Sequence, residues 1–130
     1  MIEFQLDPAS GVATYLQLVQ QVHQALRLGM LEPGDQLPTA QQVVAKLAIN
    51  PNTVLKAYRD LEREGLVRAR PGMGTFVVQT LPGRDEVALA RFLSQMSKLL
   101  LAAQAAGLDT DDIEAIYRTA IRNAFAEGVA

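Results

Sequence analysis

The chain contains no cysteine and only one histidine, His23. Without cysteine there can be no disulfide framework, no thiolate metal ligand and no thiol nucleophile. One histidine provides neither the ligand spacing of a zinc site nor an evident base for a serine or threonine nucleophile. His23 also falls beside the apolar stripe of a predicted helix, which favours a boundary residue over a catalytic base. We therefore expect no enzyme activity and no metal or cofactor site.

Long apolar runs and a targeting signal are also lacking. No stretch approaches the ~18 apolar residues that cross a bilayer. The first eleven residues carry acids rather than the basic and apolar regions of a secretory signal. We expect a soluble cytoplasmic protein without a membrane partner. Its 130 residues allow one ordinary domain and a small extra element.

The net charge of −2 is distributed unevenly along the chain. Residues 51–75 hold five bases and three acids, whereas the rest of the chain holds seven bases and eleven acids. Contact with phosphates requires a local basic surface, whatever the mean charge of the protein. The middle of the chain is therefore the candidate nucleic-acid-binding region.

Apolar residues recur at three- and four-residue steps over residues 12–28, which predicts an amphipathic helix. The helix should end at Gly29, because glycine adopts the left-handed cap conformation without a Cβ clash. Its apolar positions are Tyr15, Leu18, Val19, Val22 and Leu26. Residues 31–38 contain two prolines and a glycine and predict a turn with a short extended piece.

A second, short helix is predicted over residues 40–47. Thr39 and Gln42 match a capping box, in which each side chain satisfies a backbone N–H at the helix start. Ala48 and Ile49 then leave room only for a tight connection to the next helix.

Residues 50–64 predict a third helix with two different faces. Asn50 suits the N-cap, and Pro51 suits the first helical position because its missing N–H costs nothing there. The apolar positions expected to pack inward are Val54, Ala57, Tyr58 and Leu61. The outward face carries Asn52, Lys56, Arg59 and Arg63, at steps of 4, 3 and 4.

The outward face of this helix suits DNA. Near the helix start, Asn52 and Thr53 could approach base edges, since amides pair well with adenine in the major groove. Lys56, Arg59 and Arg63 are better placed for phosphates, which set register without reading sequence. A solvated surface helix would show the same charges, so this helix by itself leaves both interpretations open.

Two β-prone runs in residues 66–78 flank a turn-rich tip, which predicts a hairpin. Arg68 and Arg70 lead into a tip that contains Gly72 and Gly74, so the backbone could approach a duplex closely. A tight hairpin also needs glycine for positive φ, and the two uses are compatible.

The order of elements predicts a mainly α fold with a small β-hairpin. We expect an N-terminal winged helix-turn-helix over residues 1–79 and a two-helix dimerisation region over residues 80–130. The first tail helix should cover residues 85–106, and Asp109 or Thr110 should cap the second.

The two tail helices carry a wide apolar stripe that a second copy of the chain would cover. The predicted dimerisation residues are Leu89, Phe92, Leu93, Met96, Leu99, Leu100, Ile113, Ile116, Tyr117 and Ile121. The last helix has a predicted core face that also includes Ala120, Ala124 and Phe125. The alternative is that these two helices, the tail, pack against the winged helix-turn-helix of the same chain, the wing domain.

Residues 15–77 resemble the DNA-binding domain of the GntR family of bacterial regulators. The matching pieces are PGDQLPT (33–39), INPNTVLKAYRDLEREGLV (49–67) and RPGMGTFV (70–77). The resemblance implies a dimer that represses or activates an operon and is usually released by a small molecule. The short two-helix tail and the NPNTV segment look like the YtrA-like subfamily, in which such helices serve chiefly for dimerisation.

One position departs from the family pattern. Where family members commonly carry an arginine that helps to grip DNA, this chain has Gln41. Glutamine can still hydrogen-bond, but it lacks the charge and the bidentate reach of arginine. We include Gln41 with Thr39 and Asn50 among the expected DNA-binding residues.

We predict a transcription repressor that binds double-stranded operator DNA as a homodimer. A small-molecule effector could lodge between the tail and the wing domain, with Phe92, Tyr117 and Phe125 as candidate lining residues, although core packing would use the same side chains. The alternative is a winged helix that binds proteins without DNA. An acidic or apolar recognition face would favour that alternative, and the Asn/Thr/Lys/Arg face does not.

Overall fold

Three helices and a hairpin occupy the first part of the chain, in the predicted order. The computed structural model describes residues 2–80 and 85–126 and divides the chain into two compact units, Met1–Glu86 and Val87–Ala130. In the first unit, α1 is Thr14–Arg27, α2 is Ala40–Leu47 and α3 is Pro51–Arg63.

The helix ends follow the predicted capping signals. Thr39 and Gln42 form the reciprocal capping box at the start of α2. Asn50 caps α3, with its side-chain oxygen accepting a hydrogen bond from the backbone N–H of Asn52 at 2.8 Å. Ala48 makes the tight connection in the left-handed conformation, with φ 54°. This conformation costs a non-glycine residue about 1–2 kcal/mol.

The hairpin consists of β1, Val67–Arg70, and β2, Gly74–Val77, with Arg70 opposite Gly74. The extended piece predicted within residues 31–38 lies along the other edge of β2. There the Leu37 N–H donates to the Thr75 carbonyl at 2.9 Å, and the Val77 N–H donates to the Asp35 carbonyl at 2.8 Å. Strand β2 is therefore paired on both of its edges.

The core of the first unit lies where α3 meets α1, α2 and β1. Every apolar residue predicted to face inward from α3 is buried, as are all those of α1 except the half-buried Tyr15. Phe4, which the sequence pattern did not single out, is also buried, and its ring centroid lies 6.5 Å from that of Tyr58. Burial of one such side chain contributes about 1.5–3 kcal/mol.

The second unit contains two helices, α4 (Glu86–Ala105) and α5 (Thr110–Ala124). Gly107, with φ +86°, lies in the connection between them. Asp109 caps α5 through a second capping box, because its carboxylate accepts from the Asp112 N–H at 2.8 Å while Asp112 accepts from the Asp109 N–H at 3.0 Å. This assigns the cap to the first of the two predicted residues.

No described residue of α4 or α5 is buried. Within one chain, the expectation of a core face on α5 is therefore wrong. A single amphipathic helix buries its apolar stripe only where another surface covers it. Within residues 2–80 and 85–126, no helix is both long and apolar enough to cross a membrane.

Candidate nucleic-acid interface

The orientation of α3 is determined by its buried face. Val54, Ala57 and Leu61 are each 0% exposed, so rotation of the helix would expose apolar surface. Tyr58 adds a directional restraint, because its hydroxyl donates to the Pro38 carbonyl at 2.5 Å. Burial raises the pKa of the Tyr58 phenol, which keeps the hydroxyl protonated as a donor. The opposite face of α3 therefore points outward.

The outward face presents the predicted polar and cationic side chains together. Asn52, Lys56, Arg59 and Arg63 are all exposed. Arg63 forms an ion pair with Asp60 at 3.2 Å, within one turn of the helix. Within the described residues Arg59 forms no ion pair, so no carboxylate of these residues neutralises its charge.

Lys56 is held in place by an aromatic ring from another helix. Its Nζ lies 3.9 Å from the centre of the Tyr15 ring, at the start of α1. Such a cation–π contact is worth about 0.5–1 kcal/mol at an exposed site. An open concavity surrounds this pair, and its walls are Thr14, Tyr15, Asn50, Asn52, Thr53 and Lys56. The Lys56 ammonium group thus has a defined position beside the start of α3.

Two of the predicted DNA-binding side chains also cap helices. The Asn50 side-chain oxygen and the Thr39 hydroxyl accept backbone hydrogen bonds, at 2.8 and 3.1 Å respectively. Any contact these two make with DNA must therefore use their remaining donor capacity. Gln41 lies exposed in the first turn of α2, and Thr53 is half-buried in the first turn of α3.

The hairpin presents two arginines and a glycine-containing tip. Arg68 and Arg70 are exposed, and the Arg70 guanidinium lies 4.9 Å from the centre of the Phe76 ring. Gly72 and Gly74 have φ of +74° and +126°, conformations that L side chains rarely adopt. Both glycines are therefore required by the turn itself, in addition to any close approach to a duplex.

Sequence reasoning missed three side chains around this surface. Tyr15 was assigned to the core, but it also supports Lys56. Gln36 donates to the Met73 carbonyl at the hairpin tip at 3.1 Å, and Glu62 accepts from the Ala69 N–H at 2.7 Å. No local spacing links residues this far apart, so only the tertiary arrangement could identify them.

The predicted dimerisation residues share the apolar sides of α4 and α5. Leu89 and Ile113 are half-buried, and the others are exposed, as are Phe92, Tyr117 and Phe125 of the suggested effector site. Within residues 2–80 and 85–126, no three His, Asp or Glu side chains cluster as metal ligands would.

Three packed helices, an outward cationic third helix and a glycine-tipped hairpin define a winged helix-turn-helix, a class of DNA-binding protein. Residues 14–77 match the sequence profile of the gntR family of bacterial regulatory proteins. The chain belongs to the GntR family and is a DNA-binding transcription regulator of its YtrA-like subfamily.

Individual relatives agree with this assignment. The chain is 33% identical to the transcriptional repressor YtrA of Bacillus subtilis over 84% of this chain and 85% of that one. It is similar in structure to YtrA from Sulfolobus acidocaldarius, a GntR-family transcription factor, with TM-score 0.52, 26% identity and coverage of 92% and 97% of the two chains. The DNA-binding domain of AraR in complex with an operator matches 57% of this chain and 92% of its own length, with TM-score 0.51 and 26% identity.

Proposed function

We propose that this protein represses transcription as a cytoplasmic homodimer bound to an inverted-repeat operator, and that it has no enzymatic role. The observation that carries the proposal is the fixed, outward face of α3, which combines Asn52 with Lys56, Arg59 and Arg63. A recognition helix with an amide at its N-terminal end and cations along its length suits the major groove.

Contacts with bases and contacts with phosphates are made by different parts of α3. Asn52 and Thr53 lie in the first turn, the part of a recognition helix that contacts base edges. Lys56, Arg59 and Arg63 follow over the next turns and neutralise phosphates. The hairpin extends the contact, with Arg68 and Arg70 on the backbone or in the minor groove.

The tail supplies the two-fold symmetry. Its apolar side chains are exposed in the single chain, with Phe92 and Leu99 at 65% and 67%. A second copy would cover the same stripe on both partners and place two recognition helices on one duplex. We expect half-sites about one helical turn, ~34–36 Å, apart. An effector that acts through the tail stays a prediction.

Removal of a phosphate contact tests the interface. Arg59→Ala is expected to weaken binding to all sequences and to reduce the slope of log affinity against log salt by about 1. Arg91→Ala, which removes the same charge from an exposed position on α4, is the matched control and should leave the slope unchanged. An unchanged slope after loss of both Arg59 and Arg63 would refute the phosphate assignment.

Asn52→Ala should instead relax preference at particular base pairs, by about 1–3 kcal/mol at each one it reads. Selection of bound fragments from the host genome, with wild-type protein and the variant in parallel, measures that preference directly. Failure of the wild-type protein to enrich any fragment at moderate salt would favour a protein-interaction module.

A further inference from the structure

Glu62 is an acidic residue on the helix proposed to meet DNA, where a negative charge opposes phosphate binding. Its side chain does not pair with a neighbouring cation on α3. Instead, its Oε2 accepts a hydrogen bond from the backbone N–H of Ala69, in β1, at 2.7 Å. The recognition helix and the hairpin are thus joined by a side-chain-to-backbone bond.

The geometry of the hairpin explains why this N–H is available. Ala69 lies opposite Thr75, and the Thr75 carbonyl accepts from Leu37 on the far edge of β2. In an antiparallel pair, residues that direct their backbone groups away from the partner strand leave them unpaired at the outer edge. Glu62 fills this position at the outer edge of β1.

The other edge of the hairpin is braced in a similar way. The Gln36 amide donates to the Met73 carbonyl at 3.1 Å, directly at the tip. An added Cβ at Gly74 would collide with that amide, so Gln36 packs closely under the turn. Side chains from outside the hairpin therefore hold it on both edges.

We propose that Glu62 is a positioning residue that couples the recognition helix to the hairpin, so that both engage one duplex in a fixed relative orientation. Gln36 completes the arrangement at the tip. The inference rests on the proposed function, because it concerns how the two parts of the same interface act together. A residue in this role contributes through the placement of the hairpin and not through its own charge.

Two variants of Glu62 distinguish the effect of hairpin placement from the effect of the negative charge of Glu62. Glu62→Gln removes the negative charge but keeps an oxygen that can accept from Ala69. Glu62→Ala removes the charge and the acceptor together. We expect Glu62→Gln to bind an enriched genomic fragment at least as tightly as wild type, and Glu62→Ala to bind about 2- to 10-fold more weakly than Glu62→Gln, as loss of one hydrogen bond implies.

Hydroxyl-radical footprinting of the same fragment locates the effect. Glu62→Ala should lose protection where the hairpin lies and keep protection where α3 lies. Glu64→Ala is the matched control, because Glu64 is on the same turn of the chain but pairs with His23 of α1 at 2.7 Å. It removes the same charge and should keep both regions of protection.

A measurement without DNA completes the test. Hydrogen exchange of the Ala69 amide should accelerate in Glu62→Ala and stay slow in Glu62→Gln and Glu64→Ala. If Glu62→Ala binds as tightly as Glu62→Gln, or keeps the hairpin footprint, the positioning role is wrong while the proposed function stands. If the wild-type protein enriches no fragment, the proposed function fails, and the role in DNA binding fails with it.

Discussion

Helices α1 and α4 carry apolar residues at the same three- and four-residue steps, but with opposite burial. On α1, Leu18 and Val22 are 0% exposed, because they lie in the core where α3 packs against α1. On α4, Phe92 and Leu99 are 65% and 67% exposed. The apolar side of α1 is therefore buried within the chain, whereas the apolar side of α4 is exposed.

Helical periodicity therefore indicates which side of a helix is to be buried, but it does not indicate which surface buries it. In the unit Met1–Glu86, a hairpin and three helices converge on one core. In the unit Val87–Ala130, two helices are joined by a short connection, and no described residue of either helix is buried. The proposed dimer would cover the apolar side of α4 with the same surface of a second copy.

The largest expected effect is on the uncovered stripe. Leu99→Glu places a charge in the proposed dimer contact and should dissociate the dimer, as sedimentation would show. Loss of two-site binding should reduce apparent operator affinity about 100-fold or more. Ser94→Glu, on the opposite side of α4, is the control and should leave the dimer intact. A wild-type chain that sediments as a monomer at high micromolar concentration would exclude this role for the tail.

A second prediction concerns the core of the unit Met1–Glu86, which we call the wing unit. Leu61→Ala leaves a cavity at a 0% exposed position and should lower the free energy of unfolding by about 2–5 kcal/mol. The unfolding midpoint of this unit should not depend on protein concentration, whereas that of the tail should rise with concentration if a partner stabilises it. Thermal melts over a wide concentration range distinguish the two units. If the unfolding midpoints of both units depend on protein concentration, or if neither does, the proposed difference between the two units is wrong.

The smallest expected effect is an increase in the stability of the wing unit. Ala48 has φ 54°, so Ala48→Gly relieves left-handed strain and should stabilise the wing unit by about 1 kcal/mol. Ala45→Gly, within α2, is the matched control and should destabilise it by a similar amount. Chemical denaturation measures both. Destabilisation by Ala48→Gly would show that this connection needs the alanine side chain.

Much of the wing unit could be predicted because its signals are local. The Thr39–Gln42 capping box, the Asn50–Pro51 helix start and the glycine tip of the hairpin each depend on residues a few positions apart. Such signals act through backbone hydrogen bonds and allowed φ values, which neighbours along the chain determine. The outward placement of Lys56 and Arg59 followed from helical periodicity in the same way.

The contacts between distant segments could not be predicted. The Glu62–Ala69 and Gln36–Met73 hydrogen bonds and the Lys56–Tyr15 contact join residues whose proximity depends on how the elements pack. Helical periodicity can place a side chain on one face of a helix, but it does not identify the residue from another element that the side chain contacts. They became visible only once β1, β2 and α3 had defined positions.

By itself, the sequence determined the helices, their caps, the hairpin and the cationic face of the helix that begins at Pro51. It did so because hydrophobic periodicity and capping operate over a few residues. The tertiary structure alone decided that the apolar side of α1 is covered within the chain and that of α4 is not. It also decided that the hairpin is held from both edges, because those bonds require segments far apart in sequence to meet.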